Sequence, residues 1–375
     1  PRQGGATGRA QSAYVWAPGG TGPVRLLARL LGEGFNVAVA GEPLVVDGLD
    51  FPRGSFIARV GRNDESLHAR IDALARDAGV AAYAAASAFP VRGPTGTGSE
   101  TTRSLAAPDI AVLAGEGVGI SSFGWLWFEL ERRVHYPFTA VRASDLGEAD
   151  LDRFEVVVLP SGSFDDELGE RSIQRLKDWV ERGGTLIAYD AAARWVQDAD
   201  FGAAYVAPDT AAPSADSVRA LVERIAAAAL SEEAESRDAA LPPAISPGAR
   251  PAEPEAVPGA FLRVRLDPTH WLTVGYEAGE LPVLMQSLPL RASTDGANPV
   301  VFTEDDDLVI SGFAWPLNTR RTYGGGAYAT VDDVGDGRIV LFADDPLYRG
   351  VYEAPATLLW NAIFLGAPGR AGAER

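Results

Sequence analysis

Between residues 109 and 195 the chain alternates short apolar runs with longer stretches of helical period, and turn residues bound each run. The apolar runs are 109–113 (DIAVL), 138–141 (FTAV), 156–159 (VVVL) and 185–188 (TLIA). Between them lie helical stretches at 122–134, with a Trp125-Leu126-Trp127-Phe128 stripe, and at 167–182, stopped by Gly183-Gly184. A further helix is expected from about 191. Runs without polar alternation read as strands buried on both faces, and strands alternating with helices imply a parallel, doubly wound sheet. In that sheet 156–159 and 185–188 are expected to be adjacent and central.

The flanking segments follow different periods. Residues 1–12 are small and polar and read as a flexible lead-in. Strands are then expected at 13–17, 37–39, 56–60 and 80–83. Helices fall between them, one carrying Val24, Leu27, Leu30 and Leu31 and the other Leu67, Ile71 and Leu74. The order βαββαβ is that of a ferredoxin-like unit, placed at 1–92. Residues 93–108 (GPTGTGSETTRSLAAP) have no periodicity and read as a linker. An α/β domain over 109–370 follows, with an Ala-rich helix at 214–230 and a Pro/Glu/Ala-rich tract at 231–258 read as a mobile insert. Beyond it the pattern is β-rich, with strands expected at 262–266, 283–285, 300–302, 308–311, 328–331 and 339–342 and a closing helix at 355–365.

Charge and composition exclude several functions. The 375 residues carry 51 acidic and 33 basic side chains, a net charge of −18, which repels phosphate backbones and argues against nucleic-acid binding. The longest apolar stretches fall far short of the ~20 residues of a membrane helix, so no membrane span is expected. Cysteine is absent, which removes disulfides, thiolate metal sites and cysteine nucleophiles together. The chain begins at Pro1, and its one methionine is Met285, so a processed or trimmed piece of a longer protein is expected.

Few motifs could carry chemistry. His68, His135 and His270 lack the HxxE and HExxH spacings of zinc sites, so structural roles are expected for all three. No GxSxG elbow is present, and Gly119-Ile120-Ser121-Ser122-Phe123-Gly124 misses that spacing by one. Gly115-Glu116-Gly117-Val118-Gly119 follows a strand as a dinucleotide loop would, but Ile120 stands where glycine is required and Glu116 would repel a pyrophosphate. Ser161 lies at the carboxyl end of a strand, where open α/β sheets bind ligands, and without a histidine partner it reads as a turn residue. The acidic groups Glu304-Asp305-Asp306-Asp307, Asp332-Asp333 with Asp336, and Asp344-Asp345 lack calcium-loop spacing and read as solvated turns, with Asp336-Gly337 as a hairpin turn.

Three segments resemble a class I glutamine amidotransferase-like domain: DIAVLAGEGVGISSFGWLWFELERRVHYPFTAV, FEVVVLPSG and LKDWVERGGTLIAYDAAARW. The resemblance implies that the strand ending at Ala188 leads into the nucleophile elbow. The elbow then falls on Tyr189 or Asp190, where working amidotransferases carry cysteine, and no partner His or Glu has a match near the C-terminus. It also implies a degenerate pocket of Glu116, Ser161, Gly162, Tyr189 and Asp190, with no catalytic residue. A longer set of segments extends the likeness over nearly the whole chain: AYVWAPGGTGPVRLLARLLGEGFNVAVAGEPL, SSFGWLWFELE, PGAFLRVRLDPTHWLTVGY, and GDGRIVLFADDPLYRG with LLWNAIF. Together they resemble the non-catalytic C-terminal half of large bacterial zinc carboxypeptidase (carboxypeptidase A-like) proteins. What that implies is an exported parent whose zinc site lies in an upstream peptidase domain, leaving this chain without cofactor. The expected partner is that peptidase domain or a second copy. The expected fold class is thus α/β, a small ferredoxin-like unit followed by a flavodoxin/amidotransferase-like parallel sheet with a β-rich C-terminal extension. The expected function is an accessory region of the peptidase. A stand-alone small-ligand-binding or scaffold protein is the alternative, and an autonomous hydrolase using Ser161, Asp190 or Glu116 is the remote one.

Overall fold

The apolar segments of the first hundred residues have nowhere to bury two faces except against one another and two helices. The computed structural model describes residues 4–88, 96–98, 101–207, 254–304, 306–315, 318–350 and 352–367. It begins with β1 (Gly5–Ala6), β2 (Ala13–Trp16), α1 (Thr21–Gly32), β3 (Val37–Ala40), β4 (Leu44–Val46), β5 (Leu49–Phe51), β6 (Phe56–Arg59), α2 (Leu67–Ala78), β7 (Ala81–Ala85) and β8 (Thr102–Leu105). The four expected strands lie in the order β7-β2-β6-β3 with every neighbour antiparallel, the 4-1-3-2 order of a ferredoxin-like unit.

Two stretches expected to lack structure are instead paired. Within the lead-in, β1 runs parallel to β7, with Gly5 N donating to Val80 O at 2.8 Å and Ala6 N to Asp72 Oδ1 at 3.0 Å. Within 93–108, β8 pairs antiparallel with β3. Neither segment has hydrophobic periodicity to announce it. Each satisfies the open N–H and C=O groups of a sheet edge, which asks for backbone rather than side-chain pattern. The small β4–β5 hairpin turns on Asp47-Gly48, both at positive φ, the Asp-Gly signature of a tight turn.

The second sheet is built from β9 (Ile110–Ala114), α3 (Ile120–Trp127), β10 (Thr139–Arg142), β11 (Val156–Leu159), α4 (Glu170–Glu181), β12 (Thr185–Tyr189) and α5 (Ala191–Asp198). After β13 (Tyr205–Val206) come β14 (Gly259–Leu266), β15 (Glu280–Met285), β16 (Ala292–Ser293), β17 (Ala297–Phe302), β18 (Val309–Phe313) and α6 (Asn318–Tyr323). The chain continues through β19 (Ala327–Val334), β20 (Gly337–Phe342) and α7 (Ala356–Phe364). Strands β10-β9-β11-β12-β20 are parallel neighbours, the 2-1-3-4-5 order of flavodoxin-type sheets. As expected, β11 and β12 are adjacent, in register from Val156↔Thr185 to Leu159↔Ala188, and wholly buried. The β-rich extension continues the same sheet antiparallel through β19, β17, β14 and β15, with β18 pairing alongside β14.

Two local details depart from the sequence reading, and the closing helix stands where it was expected. Helix α3 runs on into a π-helical turn, Phe128–Val134, closed by His135 at φ +60°. The β19–β20 hairpin turns on Gly335-Asp336, one residue earlier than expected, with Gly335 at φ +59°. Helix α7 is buried along all nine residues. The helix expected at 214–230 and all but the last five residues of the tract 231–258 lie outside the described residues.

The two sheets share one continuous apolar core. Polar contacts between them go mostly to backbone: Arg103 Nη2 donates to Leu365 O at 2.8 Å, Arg53 Nη2 to Pro268 O at 2.6 Å, and Arg25 Nε to Arg133 O.

Candidate functional site

Parallel strands deliver all their carboxyl ends to one edge of a sheet, so the loops that leave them crowd together there. In this chain the loops after β9, β11, β12 and β20, with Gln286 and Ser287 after β15, enclose at that edge a cleft of about 380 Å³. Its floor is Asp190, in the turn from β12 into α5, with backbone angles φ +55° and ψ −125°. That conformation costs a non-glycine residue of order 1–3 kcal/mol, and such strain clusters at functional sites. It aims the side chain off the end of the strand into the cleft, as a nucleophile elbow does. With the 2-1-3-4-5 order already in place, the elbow decides the architecture. The fold is amidotransferase-like.

What the elbow carries is a fixed carboxylate. Asp190 Oδ2 accepts from Ser161 Oγ at 2.6 Å, and Oδ1 accepts from Ser287 Oγ at 2.7 Å and Arg194 Nη2 at 2.6 Å. Burial alone would raise this carboxyl, but the bonds from Ser161, Ser287 and Arg194 outweigh it and hold the group below its ordinary value. A second chain of bonds forms the back wall. Ser161 N donates to Ser122 Oγ at 3.1 Å, and Ser122 Oγ donates to Asp345 Oδ2 at 2.6 Å. Asp345 Oδ1 accepts from Leu347 N at 2.9 Å. Asp344 Oδ2 accepts from Gln286 N at 2.6 Å, and Asp344 Oδ1 from Asp345 N at 2.8 Å. Burial, reinforced by the neighbouring carboxylates, pushes Asp345 up to about 7 and Asp344 up to about 6. Trp125 and Tyr348 form one rim, their rings edge to face with centroids 5.1 Å apart.

Of the five residues expected to form a pocket, the structure brings Ser161 and Asp190 into direct contact. Tyr189 is wholly buried within β12, behind the cleft, and burial raises its phenol well above the usual value. Gly162 sits one residue outside, bridged to Val118, where a Cβ would strike Gly117 O. It holds the β9–α3 loop against the β11 loop. Glu116 is exposed and does not line the cleft, because Gly115 and Gly117, both at positive φ, turn its side chain to the surface side of that loop.

The sequence reading also placed Asp344 and Asp345 in a solvated turn, and the structure corrects this: both are under 10% exposed. They follow directly on Ile339-Val340-Leu341-Phe342-Ala343, the last parallel strand, so their position at a strand's carboxyl end was the signal available. Asp332 is buried too, accepting from Ser293 Oγ and Tyr205 Oη, whereas Asp333 stays exposed and pairs with Arg338. Ser287 and Gln286, about a hundred residues from the elbow, had no sequence signal.

None of the three histidines lines this cleft. His68 Nδ1 bonds Tyr14 Oη at 2.8 Å, His135 closes the π turn, and His270 Nδ1 accepts from Leu272 N at 3.2 Å. His270 and Trp271 instead face a second cleft of about 290 Å³ beside Asp332, Asp333 and Arg338, at the opposite edge of the sheet. Among the described residues no group of three His, Asp or Glu side chains is placed to hold a metal ion, and no helix is long and apolar enough to cross a membrane.

No protein-family model matches the sequence, and no curated protein matches it. Among solved structures, the chain is similar to a ThuA-like protein from Parabacteroides merdae, at 13% identity, covering 70% of this chain and 90% of that one, with a TM-score of 0.38. A ThuA-like protein from Bacteroides uniformis is similar at 10% identity, over 68% of this chain and 89% of that one, with a TM-score of 0.37. A protein described as a GMP synthase component from Thermoplasma acidophilum is similar at 11% identity, over 68% of this chain and 92% of that one, with a TM-score of 0.35. None of the three is a zinc carboxypeptidase. At these scores the likeness carries no argument of its own, and the architecture rests on the strand order and the elbow.

Proposed function

We propose that this chain is a non-catalytic module, with its cleft used for binding, and that it serves as an accessory region of an exported zinc carboxypeptidase-like protein. One observation carries the first part. The residue at the elbow is a carboxylate whose two oxygens already accept three hydrogen bonds, from Ser161, Ser287 and Arg194. A carboxylate nucleophile needs an oxygen free to attack, and a serine nucleophile needs a base to receive its proton. Both Asp190 oxygens are engaged by donors of the protein, the same bonds hold its carboxyl below the ordinary value and so make it a weak base for the Ser161 proton, and no imidazole lines the cleft.

The accessory role draws on the resemblance of the sequence to the carboxypeptidase proteins. It agrees with an apolar surface left on and beside α3, where Ile120 is 90% exposed and Trp127 40% exposed. Tryptophan on a surface is a frequent anchor of interfaces. The partner on this reading is the upstream peptidase domain, or else a second copy of the chain, and zinc belongs to the peptidase. The stand-alone binding protein keeps the same cleft and differs only in lacking the peptidase.

The test is direct. Purified chain offered glutamine and p-nitrophenyl acetate should show no turnover above background, and zinc measured by mass spectrometry should be far below one per chain. Turnover abolished by Asp190→Ala or Ser161→Ala, or stoichiometric zinc, overturns the reading. Light scattering with and without Trp127→Ser examines self-association through α3.

A further inference from the structure

We infer that the cleft takes a neutral, polyhydroxylated small molecule, of the size of a monosaccharide or cyclic polyol, held between Trp125 and the uncharged groups of Ser121, Gln286 and Tyr348. This rests on the reading of the cleft as a binding site, and the chemistry of its lining selects among ligands. Anions are disfavoured because three carboxyls, Asp190, Asp344 and Asp345, line the cleft. At the floor the Arg194 guanidinium is engaged by Asp190 Oδ1 and by the Ala343 carbonyl at 3.2 Å, and at the rim Arg349 lies over the Tyr348 ring, 5.1 Å from its centroid.

Cations fare little better, although the formal charge would attract them. Every carboxyl oxygen in the cleft already accepts from a protein donor: Asp190 from two serines and Arg194, Asp344 from backbone N–H groups, and Asp345 from Ser122 and Leu347. Ionised carboxylates held ready for a ligand cation would keep their oxygens open, whereas each of these already spends lone pairs on donors of the protein itself.

What remains open toward the cleft is uncharged. Among the described residues, the Ser121 hydroxyl, the Gln286 side-chain amide and the Tyr348 hydroxyl have no hydrogen-bond partner. The amide supplies both donors and an acceptor, and each hydroxyl supplies one donor with acceptor lone pairs. Beside them stands the half-buried indole of Trp125, an apolar face with a polar edge. A ring with hydroxyls around its edge and C–H groups on its faces matches such a wall, stacking its C–H face on the indole. The volume, about 380 Å³, is at the small end of ligand clefts, which run from about 300 to 1,000 Å³.

Titration calorimetry and saturation-transfer NMR on the whole chain test this with three probe sets: glucose, galactose, mannose and myo-inositol; putrescine and arginine amide; phosphate and citrate. Saturable binding of at least one neutral probe is expected. Gln286→Ala and Ser121→Ala, both at exposed positions, should each weaken it about 2–10-fold, and Trp125→Ala by about 3–10-fold, with unchanged thermal unfolding for the first two. Tighter binding of an amine or an anion than of any neutral probe overturns the ligand class while leaving the cleft a binding site. Neutral binding unaffected by all three variants also overturns it. No binding by any probe overturns both this inference and the reading on which it rests.

Discussion

Asp190 combines two opposing energies in one residue. Its positive φ is strained for any side chain with a Cβ, and its three hydrogen bonds more than offset that strain. Asp190→Ala keeps the strain, leaves the Ser161 hydroxyl without its acceptor and leaves Ser287 and Arg194 with only neutral carbonyl acceptors, so urea unfolding should show a loss of about 2–4 kcal/mol. Asp190→Gly loses the same bonds but relieves the backbone, and should be milder by about 1 kcal/mol. Equal losses would show that the elbow holds no strain. Asp345 makes a different prediction. Its folded value of about 7 lies above the ordinary carboxyl range, so between about pH 4 and 7 the native state holds a proton that the unfolded chain has released. Its contribution is complete below the unfolded value and is lost as pH rises through the folded one. Asp344, at about 6, and the buried Glu129, raised by burial to about 7, act in the same direction. His270, lowered by burial, opposes them because its contribution is lost as pH falls through its range. Stability should therefore decline from pH 4.5 to 7.5, with Asp345 contributing on the order of 3 kcal/mol of that decline. Asp345→Asn should flatten the slope, and an unchanged slope would mean that this carboxyl is ionised throughout.

At the scale of elements, the supports of the cleft matter more than its lining. Helix α3 presents Ser121, Ser122 and Trp125 in its first turns and is anchored by the π turn that follows. The extra residue of a π turn shifts the phase of a helix, and such turns recur near functional sites. Helix α7 fixes the loop between β14 and β15, which packs against the first unit. Asn361 Nδ2 donates to Leu272 O at 2.8 Å and to Val274 O at 2.7 Å from a fully buried position. Asn361→Leu conserves volume but leaves both carbonyls unpaired, and should cost about 2–4 kcal/mol in chemical denaturation. A cost under about 1 kcal/mol would show that water reaches those carbonyls.

For the whole molecule, the joint between the two sheets is close. A Cβ on Gly54, which lies at φ +83°, would overlap the side chain of Val274, and Gly19 lies against Gly275. So close a joint, within one shared core, should make unfolding a single calorimetric transition. Gly54→Ala should lower stability by about 2–3 kcal/mol, through both the positive φ and the overlap. Two separate transitions in the wild-type chain would show that the sheets fold independently.

Much of the architecture was legible in residue order because it depends on local pattern. Unbroken apolar runs such as Val156–Leu159 can be buried only as central strands, and alternation with helices makes the sheet parallel. The split βαββαβ pattern of the first unit was readable for the same reason, and so was the strand that delivers Asp190 to the elbow. Elements held chiefly by backbone pairing, β1 and β8, left no trace in side-chain period. The cleft was legible only where one loop carried it. Ser161 and Asp190 could be named from their places at strand ends, but Ser122, Ser287 and Asp345 join them only because β9, β11, β12, β20 and β15 all end at one edge. Whether a carboxylate is a solvated turn or a buried wall depends on what the folded chain brings beside it. Local sequence fixes the propensity of each segment, whereas desolvation and hydrogen-bond partners are properties of the assembled neighbourhood.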